Sequence, residues 1–327
     1  MGIAEPFDGA SQPRPFCLIS GVAYGVIALE AMLDAGIFPR LVIGYADDLN
    51  YRSGYVDLAG VASHYGIESY RTTNINETHI MEKIAAAELK VGIVCGWSQL
   101  LKRPILDSFQ LGTYGFHPTP LPIGRGRAPI PWTLIYGLKS SAVSLLRLDE
   151  GVDSGPLVVQ REFEITEDDD ASTLYERVGR MQSEILVENL SDLLSGSAVL
   201  SPQVGTPTYW QKRTDADGEI DWSWSGHALG NWVRALTHPY PGAWTTVGGH
   251  RLRIWKVTIE ADTNESSAAP GTVLDVNHGT TSSGLTIACG AKELAIVSGA
   301  QFDGEPTLSE SSLRNDTRIH PGVELGK

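Results

Sequence analysis

The sequence predicts an α/β protein: an N-terminal half built on a mostly parallel sheet, followed by a smaller β domain. Three observations carry this. Short apolar runs alternate with segments of helical spacing through the first half, one long amphipathic stretch closes it, and the texture beyond changes to short alternating runs separated by Gly, Asn and Asp turns. At 327 residues the chain has room for roughly two domains, at about 150 residues each.

The elements follow in order. Residues 1–14 are rich in Gly, Pro and Gln without periodicity and read as a flexible leader. Phe16 to Ser20 is a short buried strand, broken by Gly21; Val26, Leu29, Met32 and Leu33 then repeat at helical spacing until Gly36 stops them. Leu41 to Tyr45 and Val91 to Cys95 repeat the strand pattern, and Val56 to Tyr65 the helical one. Right-handed crossovers between such strands make a Rossmann-like sheet covered on both faces. Gly21 and Gly25 lack the Gly-x-Gly start that lets a pyrophosphate approach a helix, so they read as a tight turn and not as a dinucleotide fingerprint. Ser172 to Leu194 is the clearest helix, with Asp168, Asp169 and Asp170 placed ahead of it where acidic charge suits the helix dipole. Ser195 to Thr208 reads as a linker. Arg251 to Ile259 and Leu294 to Val297 suit a small antiparallel, OB-like barrel. The expected domains are 15–200 and 201–327. Of the tryptophans, Trp222, Trp224, Trp232, Trp244 and Trp255 fall in the second and read mostly as its core.

Composition narrows the function. Lys plus Arg number 25 against 39 Asp plus Glu, a net charge of −14, which argues against a surface devoted to nucleic acid phosphates but leaves room for one local basic site. Cys17, Cys95 and Cys289 are too few for a disulfide framework and too dispersed for a metal knuckle; no metal is expected. The apolar runs fall short of the ~18 residues that span a bilayer. The expectation is a reduced, soluble, cytoplasmic protein.

Chemistry concentrates in two segments. Gly112 to Trp132 runs from a strand into His117, then through a proline-rich loop to Arg125 and Arg127. This places polar groups at the carboxyl edge of a parallel sheet, where open α/β folds bind ligands. Leu148 to Pro156 ends another strand with carboxylates in a glycine-held turn. If the loops meet, Asp153 can orient the His117 ring and stabilise its imidazolium, leaving the other nitrogen to take a proton from an attacking amine. The same histidine also reads as a capped surface residue. Arg125 and Arg127 suit a phosphate or carboxylate of a ligand, with Arg125 expected to pair instead with a structural carboxylate.

His117 to Arg127 together with the Asp149 to Gly155 turn, with Asp153 36 positions after His117, resemble the signature of the formyltransferases that use N10-formyltetrahydrofolate, a group that includes methionyl-tRNA formyltransferase and the sugar-nucleotide N-formyltransferases. The resemblance covers Pro15 to about Leu194 and continues more weakly through Tyr209 to Arg213, Glu219 to Trp222 and His238 to Trp244. It implies catalytic roles for His117 and Asp153, and for position 115. It places the pterin of the co-substrate against Trp97, Gln99, Leu100 and Leu101 and against Asp149, Glu150, Gly151 and Val152, although Trp97 and Leu101 also read as core. It puts the acceptor near Thr119, Arg125 and Arg127.

One departure stands out. The family's Asn-x-His is Gly115-Phe116-His117 here, so the amide that helps to hold the formyl oxygen is absent. Such a donor contributes about 2.7–4 kcal/mol to a transition state, and a backbone N–H, a water or His117 itself is the expected substitute. The resemblance further implies that a tRNA-modifying member would carry a basic loop after the second strand, where Ala46 to Asp57 is short and acidic. The expected acceptor is therefore an amino-sugar nucleotide, with a homodimer open as the assembly. Methionyl-tRNA, another small amine, or a non-catalytic folate-binding role are the alternatives.

Overall fold

The computed structural model describes residues 13–49, 52–263, 267–274 and 283–327; the leader reading up to residue 12 lies outside these. The chain divides into two units. The first runs to Pro129 and takes in Ser140–Glu164 and Tyr175–Gln211; the second comprises Ile130–Lys139, Ile165–Leu174 and Lys212–Lys327.

The first unit contains the strands β1 (Arg14–Ile19), β2 (Pro39–Tyr45), β3 (Ser69–Thr72), β4 (Val91–Val94), β5 (Gly112–His117), β6 (Arg125–Gly126), β7 (Ser140–Arg147), β8 (Leu157–Glu164) and β9 (Tyr209–Trp210). Seven of them form one sheet in the order β3-β2-β1-β4-β5-β7-β8. Its first five strands pair in parallel, while β7 and β8 are antiparallel additions. β6 and β9 form a separate parallel pair.

Burial explains the central strands. Phe16, Cys17, Leu18 and Ile19 are wholly buried, as expected of a strand covered on both faces, and each large apolar side chain there stabilises the fold by about 1.5–3 kcal/mol. Helix α1 (Ala23–Asp34) buries Leu29, Met32 and Leu33, and α2 (Leu58–His64) starts at Asp57, whose carboxylate accepts the Gly60 N–H at 3.0 Å. The short segment β3 and helix α3 (Thr78–Ala86), together with α4 (Arg103–Leu106), escaped the sequence reading. β3 is only four residues long and not fully buried, which leaves almost no apolar periodicity to detect.

In this strand order the crossovers run from β1 through β2 to β3 on one side and through β4 to β5 on the other. The carboxyl ends next to that change of direction are where open α/β sheets bind ligands. His117 is the last residue of β5.

The second unit holds α5 (Pro129–Ile135) apart from its first residue, and α7 (Gly226–Leu236). The intervening helix α6 (Ala171–Ser195) begins in this unit and continues into the first. Its start is capped by Asp170, whose carboxylate accepts the N–H groups of Ser172 and Thr173 at 2.9 and 3.0 Å. A separate antiparallel sheet follows: β10 (Ala243–Val247), β11 (His250–Ala261), β12 (Leu285–Cys289) and β13 (Glu293–Phe302), in the order β10-β11-β13-β12, with α8 (Glu310–Asn315) after it. Register breaks between Ile254 and Val257 bend β11, the local device by which a small sheet curls toward a barrel. Trp222 and Trp244 are buried and their indole N–H groups donate to Thr245 Oγ1 at 3.1 Å and to the Asp215 carbonyl at 2.8 Å. Trp224, Trp232 and Trp255 are only partly buried.

Candidate active site

β5 delivers His117 to the sheet edge, and the turn after β7 delivers Asp153. Nδ1 of His117 lies 3.5 Å from Oδ2 of Asp153. Nε2 of the ring donates to the Gly124 carbonyl at 2.7 Å, a bond whose direction follows because a carbonyl oxygen only accepts. Nε2 is thus hydrogen-bonded, while Nδ1 faces the carboxylate. The His117 side chain is 6% exposed and that of Asp153 22%, so the carboxylate is the outward member of the pair. This reverses the order expected from sequence, in which the carboxylate stood behind the ring and the second nitrogen faced the ligand. The proline-rich loop folds back onto the ring and takes Nε2 for its own carbonyl.

Asp153 occupies the left-handed region (φ 48°), which Asp tolerates better than most residues. Its Oδ2 also accepts the Gly126 N–H at 2.8 Å. Gly126 has φ 110°, and a Cβ there would stand 2.5 Å from the Trp210 carbonyl, so glycine is what lets the two backbones approach. The turn before Asp153 is organised by Asp149, whose Oδ1 accepts from the Gly151 N–H at 3.0 Å and the Ser154 hydroxyl at 2.7 Å. Glu150 is exposed, with Oε2 3.9 Å from Arg103, and Val152 is exposed at the tip.

Gly115 is buried, and the volume beside it is filled: a Cβ built on residue 115 meets Leu148 Cδ2 at 2.9 Å.

The residues expected to bind the pterin divide. Leu100 is exposed, whereas Leu101 is 7% exposed and packs in the core with Ile105 and Phe109, the core reading that the sequence also offered. The amide of Gln99 is consumed by the chain: Nε2 donates to the Thr73 carbonyl at 2.6 Å and Oε1 accepts the Ile75 N–H at 3.1 Å. Trp97 stacks on Tyr45 with centroids 4.0 Å apart, and its buried indole N–H has no acceptor among the described residues. Thr119, expected to touch the acceptor, is fully buried, with its carbonyl accepting from Ser144 at 2.7 Å.

The arginines also separate. Arg125 donates through Nε and Nη2 to Gln203 Oε1 at 3.2 and 2.7 Å and through Nη1 to the Tyr209 hydroxyl at 3.1 Å. Its partners are an amide and a phenol, not the carboxylate expected from sequence. Arg127 is exposed, and its guanidinium has no hydrogen bond or ion pair among the described residues.

Two residues of the stretch read as a linker prove to be part of the site. Gln203 joins Arg125 to the Asp153 turn, and Thr208 accepts the Gly124 N–H on its hydroxyl at 2.8 Å, behind the carbonyl that holds His117. No periodicity marks either residue; the bridge between Ser201 and Leu157 and the pairing of β6 with β9 bring them in. No group of three or more His, Cys, Asp or Glu among the described residues is arranged to hold a metal, and no helix there is long and apolar enough to cross a membrane.

An imidazole–carboxylate pair thus stands at the carboxyl edge of a mostly parallel sheet, with an unengaged arginine on the neighbouring loop. Residues 40–190 match the family described as Formyl transferase, and residues 212–317 match the Formyl transferase C-terminal domain. The chain belongs to the formyl transferase family and is a transferase. Among solved structures it is similar to a sugar 3N-formyl transferase, WlaRD, determined in the presence of dTDP and 5-N-formyl-THF (18% identity, 90% of this chain and all of that one, TM-score 0.63). It is also similar to an N-formyltransferase from Helicobacter canadensis in complex with folinic acid and dTDP-3-aminofucose (17%, 87% and 98%, 0.63). HypX from Aquifex aeolicus in complex with tetrahydrofolic acid is matched over 90% of this chain but 46% of its own (16%, 0.63).

Proposed function

We propose that the protein moves a formyl group from N10-formyltetrahydrofolate to the amine of an amino-sugar nucleotide. The observation that carries the reading is the 3.5 Å approach of His117 to Asp153 at the end of β5. The similar sugar N-formyltransferases, solved with folates and with dTDP or a dTDP amino sugar, support the choice of both substrates. The net charge of −14 and the acidic Ala46 to Asp57 stretch weigh against a tRNA acceptor.

The residues present suit a folate. Leu100 and Val152 offer exposed apolar side chains, the 149–153 turn offers backbone groups, and the unpartnered Trp97 indole N–H awaits an acceptor. In the reaction a C–N bond forms between the acceptor amine and the formyl carbon, the bond from that carbon to N10 breaks, and one proton passes from the amine to N10. The His117–Asp153 pair handles that proton. Asp153, the outward member, meets the amine, and Nδ1 of His117 receives the proton while Nε2 stays on Gly124. Arg127 takes the diphosphate of the acceptor as an exposed planar fork. We infer no direct acceptor contact for Thr119.

The test combines calorimetry with a non-reactive folate and single-turnover formyl transfer across a panel of amino-sugar nucleotides. Binding followed by transfer to at least one sugar supports the reading. Tight folate binding with no transfer to any acceptor replaces it with the non-catalytic folate-binding alternative.

A further inference from the structure

Between Ser201 and Tyr209 the chain is exposed at every residue except Gln203, which is turned inward. All four hydrogen-bonding positions of its amide are used. Oε1 accepts twice from the Arg125 guanidinium, at 3.2 and 2.7 Å. Nε2 donates to the Asp153 carbonyl and to the Gly155 carbonyl, both at 2.8 Å. The amide orientation is forced, because a guanidinium offers only donors and the carbonyls only acceptors. One of these carbonyls is that of Asp153 itself, which carries the carboxylate in a left-handed backbone conformation, one that is costly unless its surroundings hold it.

We infer that Gln203 is a positioning residue for formyl transfer: it clamps the Asp153 turn so that the carboxylate faces His117, and it ties that turn to the Arg125 loop. The inference rests on the proposed function for its kinetic consequence. Gln203 touches neither reacting atom and acts through Asp153. An anion that draws on the Arg125 guanidinium acts on the same amide, so acceptor binding and the placement of the carboxylate share one side chain.

Two substitutions separate the halves of the clamp. Gln203→Glu keeps an acceptor for Arg125 but sets a carboxylate against two carbonyls, whereas Gln203→Ala removes both halves. A misplacement of about 1 Å in a reacting group can cost roughly a hundredfold in rate. Gln203→Glu is therefore expected to lower the single-turnover rate by about ten- to a hundredfold with acceptor KM within about twofold of wild type. Gln203→Ala is expected to lower the rate similarly and raise acceptor KM as well. A crystal structure of Gln203→Ala is expected to show Asp153 displaced from His117. The inference is overturned if Gln203→Glu turns over as wild type does, if the loss in either variant is accounted for by a smaller titrated fraction of active sites, or if Asp153 keeps its place in Gln203→Ala. The crystallographic arm needs no acceptor. A wild-type protein inactive on every amine would defeat the proposed function while still leaving the clamp decided by the position of Asp153.

Discussion

Leu148 occupies the space that a side chain on residue 115 would need. The Cβ of any residue other than glycine there would stand 2.9 Å from Leu148 Cδ2 and 3.2 Å from Cδ1. The Gly115-Phe116-His117 triplet and Leu148 are therefore one packing decision, made on neighbouring strands: Gly115 pairs with Leu146, two residues before Leu148.

Gly115→Asn alone is expected to destabilise the protein by about 1–3 kcal/mol through overpacking. The double variant Gly115→Asn with Leu148→Ala is expected to be more stable than the sum of the single effects, because the two positions share one volume. Urea unfolding of the four proteins in the cycle measures this. A stable single variant with additive effects would show that the space beside residue 115 is free.

His117→Ala and Asp153→Ala are each expected to lower formyl transfer by about 10²–10⁴-fold, the range of a positioned acid–base group, with folate affinity held within a few-fold. Combined, they should lose little more than either alone, since the two side chains act as one unit. Single-turnover rates and calorimetry on the same preparations read both quantities, and multiplicative losses would sink the idea of a unit.

Arg125 and Arg127 stand two residues apart but should behave differently. Arg127→Ala is expected to raise acceptor KM while leaving unfolding stability within about ±0.5 kcal/mol, as for a surface side chain without partners. Arg125→Ala removes bonds to Gln203 and Tyr209 and should lower stability and rate together. Denaturant melts beside steady-state kinetics with varied acceptor distinguish them, and equal effects of the two substitutions would refute the assignment.

In the second unit Asp215 accepts from Arg253 at 2.6 Å and from Arg251 at 2.5 Å. Hydrogen bonding from Arg253, opposed in part by burial, holds its carboxyl below the usual range. A depressed carboxyl contributes stability above the unfolded value, about 3.9, and loses it as pH falls through the lower folded value. Asp215→Asn should therefore melt below wild type near pH 6, with the gap closing under about pH 4. The effect is small, because the carboxylate is 39% exposed and screened by solvent. Melting temperature against pH for both proteins checks it, and a gap constant down to acid pH would exclude the pair as its source.

What could be read in advance depended on how local the signal is. The helix from Ser172 to Leu194 is seen as Ala171–Ser195 because its apolar face and acidic start are written within one segment. The approach of His117 to Asp153 was legible because one ends a strand and the other lies in the Gly-rich turn that follows a strand. Whether Leu101 and Thr119 face a ligand or the core was not legible, since a loop residue next to a site is as easily turned into the core as toward a ligand. Gln203 and Thr208 left no trace, for an isolated polar residue in an exposed stretch looks the same whether or not its side chain is bonded.

By itself the sequence determined the alternation of strand and helix, the position of the imidazole at a strand end and the glycine at residue 115. Tertiary structure alone decided that Asp153 lies outside the ring, that Gly124 takes Nε2, that Leu148 fills the space beside residue 115, and that Gln203 and Thr208 bond to the loops that hold Asp153 and His117. Periodicity and turn chemistry act between neighbours along the chain. The partners of a buried polar group are set by which strands the crossovers bring side by side, and no local pattern records that.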